Sequence, residues 1–109
     1  MHDLWQQITE TKQEIDELND QINDYASKVP SAEAAYYSEK TRVAYELERQ
    51  GKTATFIQTV LKGTESVVEL MEEYHRLEAE MKNANEARMV LKKWLDILND
   101  QYAREWSRV

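Results

Sequence analysis

The amino-acid sequence predicts an all-α fold: an elongated antiparallel helical hairpin or coiled coil, or a small helical bundle, with a short capping helix. The 109 residues include two glycines and one proline, and they are rich in Glu, Gln, Lys, Ala and Leu, a composition that favours helix. Apolar residues also recur at alternating spacings of three and four along two long segments. This spacing puts one apolar stripe on each helix, and each stripe requires a partner helix to cover it.

The two apolar stripes together follow the heptad spacing over most of the chain. The first stripe consists of Leu4, Ile8, Thr11, Ile15, Leu18, Ile22, Tyr25 and Val29. The second stripe consists of Val67, Leu70, Tyr74, Leu77, Met81, Ala84, Leu91, Leu95, Leu98 and Tyr102. Arg88 falls on a position of the second stripe, and we expect the stripe to drift around it through Ala87. Trp94 flanks this stripe, and we expect it to pack in the core.

One helical domain is expected over residues 1–109. Asp3 is the expected N-cap of the first helix, and Pro30 interrupts this helix because proline lacks an amide proton and disfavours helical geometry before it. Ser31 would then cap a second helix that ends at Gly51. Pro30 either kinks one long arm of a hairpin, which we slightly prefer, or reverses the chain into a short bundle. The helices are expected at about 3–27, 31–50, 53–62 and 64–107.

The segment between the two glycines predicts the short capping helix. Thr53 can serve as its N-cap, and Gly63 can end it in a left-handed turn. Its apolar face would consist of Phe56, Ile57, Val60 and Leu61. The β-branched residues make a strand the alternative, but such a strand would have no obvious partner strand.

The charge distribution is uneven along the chain. The net charge is −7, made up of −6 over residues 1–35, +2 over residues 36–63 and −3 over residues 64–109. An acidic protein repels phosphate, so we expect no direct binding of nucleic acid by the surface as a whole. The basic middle segment is the possible anion contact, although helix C-termini attract such residues in any case. Its residues are Lys40, Arg42, Arg49 and Lys52.

Two features bear on location. No run of residues approaches the ~18 apolar residues of a membrane span, so no membrane association is expected. The chain has no cysteine, which fits a cytoplasmic protein.

Acidic and aromatic residues are the candidate partner-binding groups. The acids of the first helix form either a solvated face or a surface that mimics the charge of DNA or docks a basic patch. Trp5 and Trp106, at the two helix ends, either pack against each other or act as the large anchors typical of interfaces. The candidate acids are Asp16, Glu17, Asp20 and Asp24. Because a two-helix hairpin leaves much apolar surface uncovered, we also expect a homodimer.

Enzymatic chemistry finds little support in the sequence. Glu72 and His75 have the Glu-x-x-His spacing of di-iron bundles, but that site needs the motif twice, and His2 is the only other histidine. The acids lie mainly at outer heptad positions, not as a pair in a cleft. The sequence also lacks a glycine-rich phosphate loop and a Gly-x-Ser-x-Gly motif. We therefore expect no catalytic residue, no metal and no cofactor.

A pattern over residues 35–106 gives a family resemblance. Its elements are Ala44, Leu47, Gly51, Thr55, Ile57, Lys62, Gly63, Val67, the long helix and the ending Gln101-Tyr102-Ala103-Arg104-Glu105-Trp106. In these residues the chain resembles small helical hypothetical proteins encoded by phages and prophages of Gram-positive bacteria. The resemblance implies an origin in an early region, among replication, recombination and counter-defence genes, and it implies no catalytic residues. The acidic N-terminal arm lies outside it.

The sequence thus predicts a non-enzymatic, phage- or prophage-encoded module that binds another protein in the bacterial host. One alternative is an anti-CRISPR protein or other counter-defence inhibitor that uses the acidic helical surface. The other is an accessory factor for phage recombination or replication that contacts nucleic acid through the basic segment.

Overall fold

The computed structural model describes residues 2–107 and is helical almost throughout. Its helices are α1 (His2–Arg49), α2 (Ala54–Leu61) and α3 (Glu65–Ser107). The described residues contain no strand, so the predicted all-α fold is confirmed and the strand alternative for α2 is wrong. Within residues 2–107, no helix combines the length and the apolar character needed to cross a bilayer.

Contacts group the chain into two compact units. Unit 1 comprises the described parts of Met1–Asp24 and Met81–Val109, and unit 2 comprises Tyr25–Glu80. Each unit pairs a part of α1 with a part of α3, and α2 belongs to unit 2. The expectation of a single domain stays a prediction.

Pro30 lies inside α1, which continues through it without a break. One long arm, the alternative that the sequence slightly favours, is therefore confirmed. The reversal at Pro30 is wrong, as are the break between residues 27 and 31 and the Ser31 cap, since Ser31 is an interior residue of α1. The physical reason is that the first stripe keeps its spacing beyond the proline: Val29, Ala32 and Tyr36 are all half-buried. Packing of this continuous stripe offsets the roughly 3 kcal/mol that proline costs inside a helix.

The core of unit 1 is formed by stripe residues of both helices. Trp5 contacts Tyr102 and Asn19 contacts Arg88, so residue numbers rise along α1 as they fall along α3. The two helices are therefore antiparallel in this unit, as a hairpin requires. The buried residues are Ile8, Thr11, Ile15, Ala84 and Leu98.

Arg88 keeps its place on the second stripe. Its Nη1 donates to Asn19 Oδ1 at 2.9 Å and its Nη2 donates to Asn85 Oδ1 at 3.1 Å, while Ala87 is exposed. The expected drift of the stripe through Ala87 is wrong, because amide oxygens satisfy the half-buried guanidinium where it stands. We expect this polar contact at a stripe position to favour this register of the two helices over others.

Unit 2 is antiparallel by the same criterion, because Tyr25 faces Glu80, Glu33 faces Tyr74 and Glu39 faces Ser66. Its buried residues are Leu61, Val67 and Leu77. The hydroxyl of Tyr74 on α3 donates to Glu33 Oε2 on α1 at 2.7 Å, and the rings of Tyr74 and Tyr36 are stacked with centroids 6.2 Å apart. These contacts join α1 to α3 through polar atoms as well as apolar ones.

Both predicted caps that flank residues 51–53 are present. Thr53 Oγ1 accepts a hydrogen bond of 3.2 Å from the amide of Phe56. Thr53 is therefore the N-cap of α2. Gly51 has a φ of 79°, its amide donates to Glu48 O at 2.9 Å, and the Lys52 amide donates to Leu47 O at 3.1 Å. This pair of bonds is a Schellman motif, which ends α1 with a glycine in the left-handed region.

Two other predictions, about the end of α2 and the start of α1, are wrong. Gly63 is not left-handed, since Gly51 is the one residue with positive φ in the described chain. The Thr64 hydroxyl instead donates to Val60 O at 2.8 Å, so α2 ends without a left-handed residue. Asp3 lies in the first turn of α1, which begins one residue earlier than expected.

The two glycines should respond differently to alanine. Gly51→Ala should destabilise the protein by about 1–2 kcal/mol, because an L-residue is strained in the left-handed region. Gly63→Ala is the matched control: a Cβ there meets only Val60 O, at 4.0 Å, and should change stability by less than about 1 kcal/mol. Urea unfolding followed by circular dichroism measures both values, and equal effects would contradict the Schellman assignment.

Candidate protein-binding surfaces

The two terminal tryptophans are brought together by a tyrosine. The ring centroids of Trp5 and Tyr102 are 5.7 Å apart, and those of Tyr102 and Trp106 are 6.0 Å apart. Trp5 is nevertheless 57% exposed and Trp106 is 62% exposed. We call these three residues the aromatic end. Packing orients the three rings but leaves the two tryptophans mostly exposed to solvent, so large apolar areas are available to a partner.

The four candidate acids of α1 form an exposed acidic face. Asp16, Asp20 and Asp24 follow one another at i, i+4 and i+8, and Glu17 lies beside them; all four are exposed. Like charges at i, i+4 destabilise a helix by about 0.2–0.5 kcal/mol per pair, and aspartate is a poor helix former. The spacing therefore places like charges beside one another, and a basic partner surface would relieve their repulsion.

Beside the second stripe, α3 carries a further row of exposed apolar side chains that the sequence analysis missed. Val90, Trp94 and Ile97 lie on one face of the helix and are 65%, 43% and 49% exposed. We call these three residues the α3 stripe. The expectation that Trp94 packs in the core is wrong, because α1 covers only one side of α3 in unit 1. The signal was present in the sequence, since residues 90, 94 and 97 repeat a 4-then-3 spacing beside the stripe of Leu91, Leu95 and Leu98.

Two of the four candidate anion contacts lie over aromatic rings. Lys40 Nζ is 5.7 Å from the centroid of Tyr36, and Lys52 Nζ is 5.3 Å from the centroid of Phe56. Both lysines line one cavity in unit 2. Cation–π contacts of this kind hold an ammonium group in place while leaving it able to pair with an anion.

The other two basic residues do not join this cavity lining. Arg42 Nη2 donates to Glu39 Oε2 at 3.2 Å and its Nε donates to Oε1 of the same carboxylate, so its charge is already paired. Arg49 lies exposed in the last turn of α1. The structure therefore does not gather the four predicted basic residues into one anion site.

Glu39 is a titratable group with a strongly altered pKa. Its side chain is only 18% exposed, and hydrogen bonds from Arg42 and then from Ser66 lower the pKa of its carboxyl from 4.5 to about 2. Because Glu39 is on α1 and Ser66 is on α3, this carboxylate joins the two helices in unit 2. It contributes to stability only while it is ionised.

The Glu-x-x-His motif lies on the surface. Glu72 and His75 are both exposed, and the ring of His75 is 5.3 Å from that of Tyr74. The side chain of His2 lies outside the described residues. Among the side chains that the structure describes, no group of three or more His, Cys, Asp or Glu could hold a metal ion.

No protein-family model, curated protein or solved structure matches this chain. The resemblance to phage and prophage proteins stays a prediction, so the surfaces described above are the basis for assigning a function.

The ion pair of Glu39 predicts a pH dependence of stability. Its folded pKa is depressed, so its contribution is fully present above pH 4.5 and is lost as pH falls towards about 2. Glu39→Gln should therefore lower the free energy of unfolding at neutral pH, and its difference from the wild type should shrink over that acidic range. Urea unfolding at a series of pH values measures this difference. As a control, the same substitution in an Arg42→Gln background should show a weaker pH dependence; a difference independent of pH would contradict the assigned pKa.

Proposed function

We propose that this chain is a non-enzymatic, phage- or prophage-encoded module that acts in the host cytoplasm by binding proteins. The observation that supports this proposal is the concentration of exposed apolar side chains in unit 1. Monomeric soluble proteins rarely expose contiguous apolar patches larger than a few hundred Å², and larger patches mark interaction sites. Six large apolar side chains of unit 1, between 43% and 65% exposed, are Trp5, Met89, Val90, Trp94, Ile97 and Trp106.

The first interaction that we propose is self-association through the α3 stripe. Full burial of a large apolar side chain is worth about 1.5–3 kcal/mol, so three of them in each copy can supply much of the free energy of a dimer. Trp94 is the expected anchor, because tryptophan is the residue most enriched among interface hot spots.

The second interaction is with another protein through the acidic face and the aromatic end. A row of carboxylates attracts a basic surface from a distance and raises the rate of association. The exposed rings of Trp5 and Trp106 then supply apolar contact after docking. A partner with a basic patch beside an apolar pocket fits both features.

A counter-defence inhibitor, such as an anti-CRISPR protein, is a second candidate within the same binding class. The exposed acidic face favours it, because successive carboxylates along a helix can occupy a basic channel that otherwise holds nucleic acid. The family resemblance adds support through its implied genomic setting. A nucleic-acid accessory factor has less support, since Arg42 is paired with Glu39.

The proposed dimer predicts a loss of self-association in Trp94→Lys. A lysine at this position removes the anchor and places a charge on the α3 stripe, so the dissociation constant of the dimer should rise by about a hundredfold or more. Tyr45→Lys is the matched control, because Tyr45 is 62% exposed but lies outside the α3 stripe. Its substitution should leave the mass of the associated species unchanged. Sedimentation equilibrium measures both, and a wild-type protein that is monomeric at all concentrations would contradict this part of the proposal.

Neutralising the acidic face should abolish capture of the external partner. The variant Asp16→Asn, Glu17→Gln, Asp20→Asn, Asp24→Asn should lose proteins that the wild type retains from a Gram-positive bacterial lysate, and moderate salt should release the same proteins from the wild type. Quantitative mass spectrometry measures the retained proteins. A control variant with the same change in charge should retain them; it carries Gln in place of the exposed residues Glu46, Glu65, Glu69 and Glu72.

The proposal of an acidic docking face fails if both variants retain the same proteins in equal amounts, or if both lose them equally.

A further inference from the structure

The α3 stripe is the apolar centre of a longer exposed face in unit 1. The spacing of four and then three residues continues beyond the stripe in both directions along α3. The exposed side chains that follow it are Asn83, Ala87, Val90, Trp94, Ile97 and Gln101. We call these six residues the exposed α3 face. It has an uncharged amide at each end and apolar side chains between them, of which Ala87 is the smallest.

The order of side chains on the exposed α3 face is complementary to itself when the helix direction is reversed. In an antiparallel pair of identical helices, a contact of one residue with another is made twice, once in each direction. If Trp94 of one copy packs against Val90 of a second copy, the other layers are fixed: Ile97 meets Ala87, and Gln101 meets Asn83. A large side chain then meets a smaller one in each apolar layer, and the two amides can donate to each other.

Other alignments of the same faces match less well. Parallel pairing places each residue against itself, so tryptophan meets tryptophan and the two methyl groups of Ala87 leave space between them. An antiparallel pair shifted by seven residues keeps the spacing but mixes apolar with polar layers. A shift in one direction places Trp94 against Asn83, and a shift in the other places Val90 against Gln101.

The charge of α3 also suits a second copy. Residues 81–107 hold four acidic and five basic residues, whereas residues 2–24 of α1 hold seven acidic residues and one basic residue. Two α3 faces therefore approach each other without the repulsion that two α1 faces would have, and a strongly charged partner would find no matching charge on α3.

One pair of like charges opposes the antiparallel alignment. Lys93 is exposed and would lie beside Lys93 of the second copy at the edge of the contact. Both ammonium groups would remain in water, where salt screens their repulsion. Trp94, in contrast, would be removed from water at the centre of the contact, which is where the residues that dominate an interface are found. The apolar centre therefore decides the alignment.

We propose that two copies of the chain pair through their exposed α3 faces as an antiparallel two-fold dimer, with Trp94 of each copy packed against Val90 of the other. This assignment rests on the proposed self-association and specifies its orientation and register. The two-fold axis then lies level with Lys92. Because Trp106 is fourteen residues beyond that level in each copy, the two aromatic ends are roughly 42 Å apart along the helices. The dimer therefore presents them to two separate partner molecules.

Charges introduced at the two ends of the exposed α3 face test the orientation. The double variant Asn83→Glu, Gln101→Lys places opposite charges against each other twice in the antiparallel dimer, so its dissociation constant should stay within about threefold of the wild-type value or fall. Asn83→Lys, Gln101→Lys is the matched control. It places like charges together and should raise the dissociation constant by about tenfold. Sedimentation equilibrium measures both, and circular dichroism checks that both variants retain their helices.

The distance between two spin labels tests the register and does not depend on those charges. The natural chain has no cysteine, so Arg104→Cys provides one site for a nitroxide label in each copy. Residue 104 is twelve residues beyond the two-fold axis, which places the two labels about 36 Å apart along the helices. Parallel pairing would place them at the same level, and a shift of seven residues would change their separation by about 10 Å. Double electron–electron resonance measures this distance.

The outcomes separate the arrangement from the self-association on which it rests. A wild-type protein that is monomeric at all concentrations removes both. A dimeric wild-type protein retains the self-association but loses the antiparallel register in either of two cases. One case is that the two double variants have equal effects on the dissociation constant. The other is that the labels are separated by a distance that fits parallel pairing or a shifted alignment.

Discussion

Burial between α1 and α3 depends on a single seven-residue spacing that the two helices share. The side chains removed from water in unit 1, such as Ile8 and Leu98, come from these positions, and the same spacing supplies Val67 and Leu77 to unit 2. A contact between two helices covers one face of each, so the remaining faces stay open to solvent. The narrow core and the exposed apolar residues therefore have one cause, and the surface available for recognition follows from the way in which the chain folds.

The sequence predicts those parts of the fold that depend on local chemistry. The stripes, the Thr53 cap and the glycine at the end of α1 each follow from residues within a turn or two of one another. The single long arm through Pro30, which the sequence slightly favours, also has a local basis, because Val29, Ala32 and Tyr36 keep the spacing of the stripe across the proline. The position of Arg88 could not be predicted from its sequence neighbours. Its partner Asn19 lies 69 residues away, and helical periodicity alone does not show which amide oxygen will satisfy the guanidinium.

The candidate surfaces likewise divide into those that a local sequence pattern predicts and those that it does not. The acidic face and the two terminal tryptophans follow from helical spacing and charge, and the structure leaves both exposed. The α3 stripe was misread because a broad apolar stripe looks the same in sequence whether a third helix covers it or solvent does. The cavity of unit 2 depends on the position of α2, which places Leu61 and Lys62 in the same lining as Ala44 and Lys40. No local pattern encodes that arrangement.

The antiparallel pairing also imposes an order on the folding of the chain. Glu33 and Tyr74 are 41 residues apart, whereas Asn19 and Arg88 are 69 apart, so contacts in unit 2 close shorter loops and have the smaller entropic cost. We expect the helices of unit 2 to pair first and those of unit 1 to pair afterwards. On the ribosome, where synthesis adds about 5–20 residues per second, the first turns of α1 must wait several seconds for the end of α3. During that interval the apolar side chains of the first stripe have no partner helix to cover them, so they stay exposed until synthesis of α3 is complete.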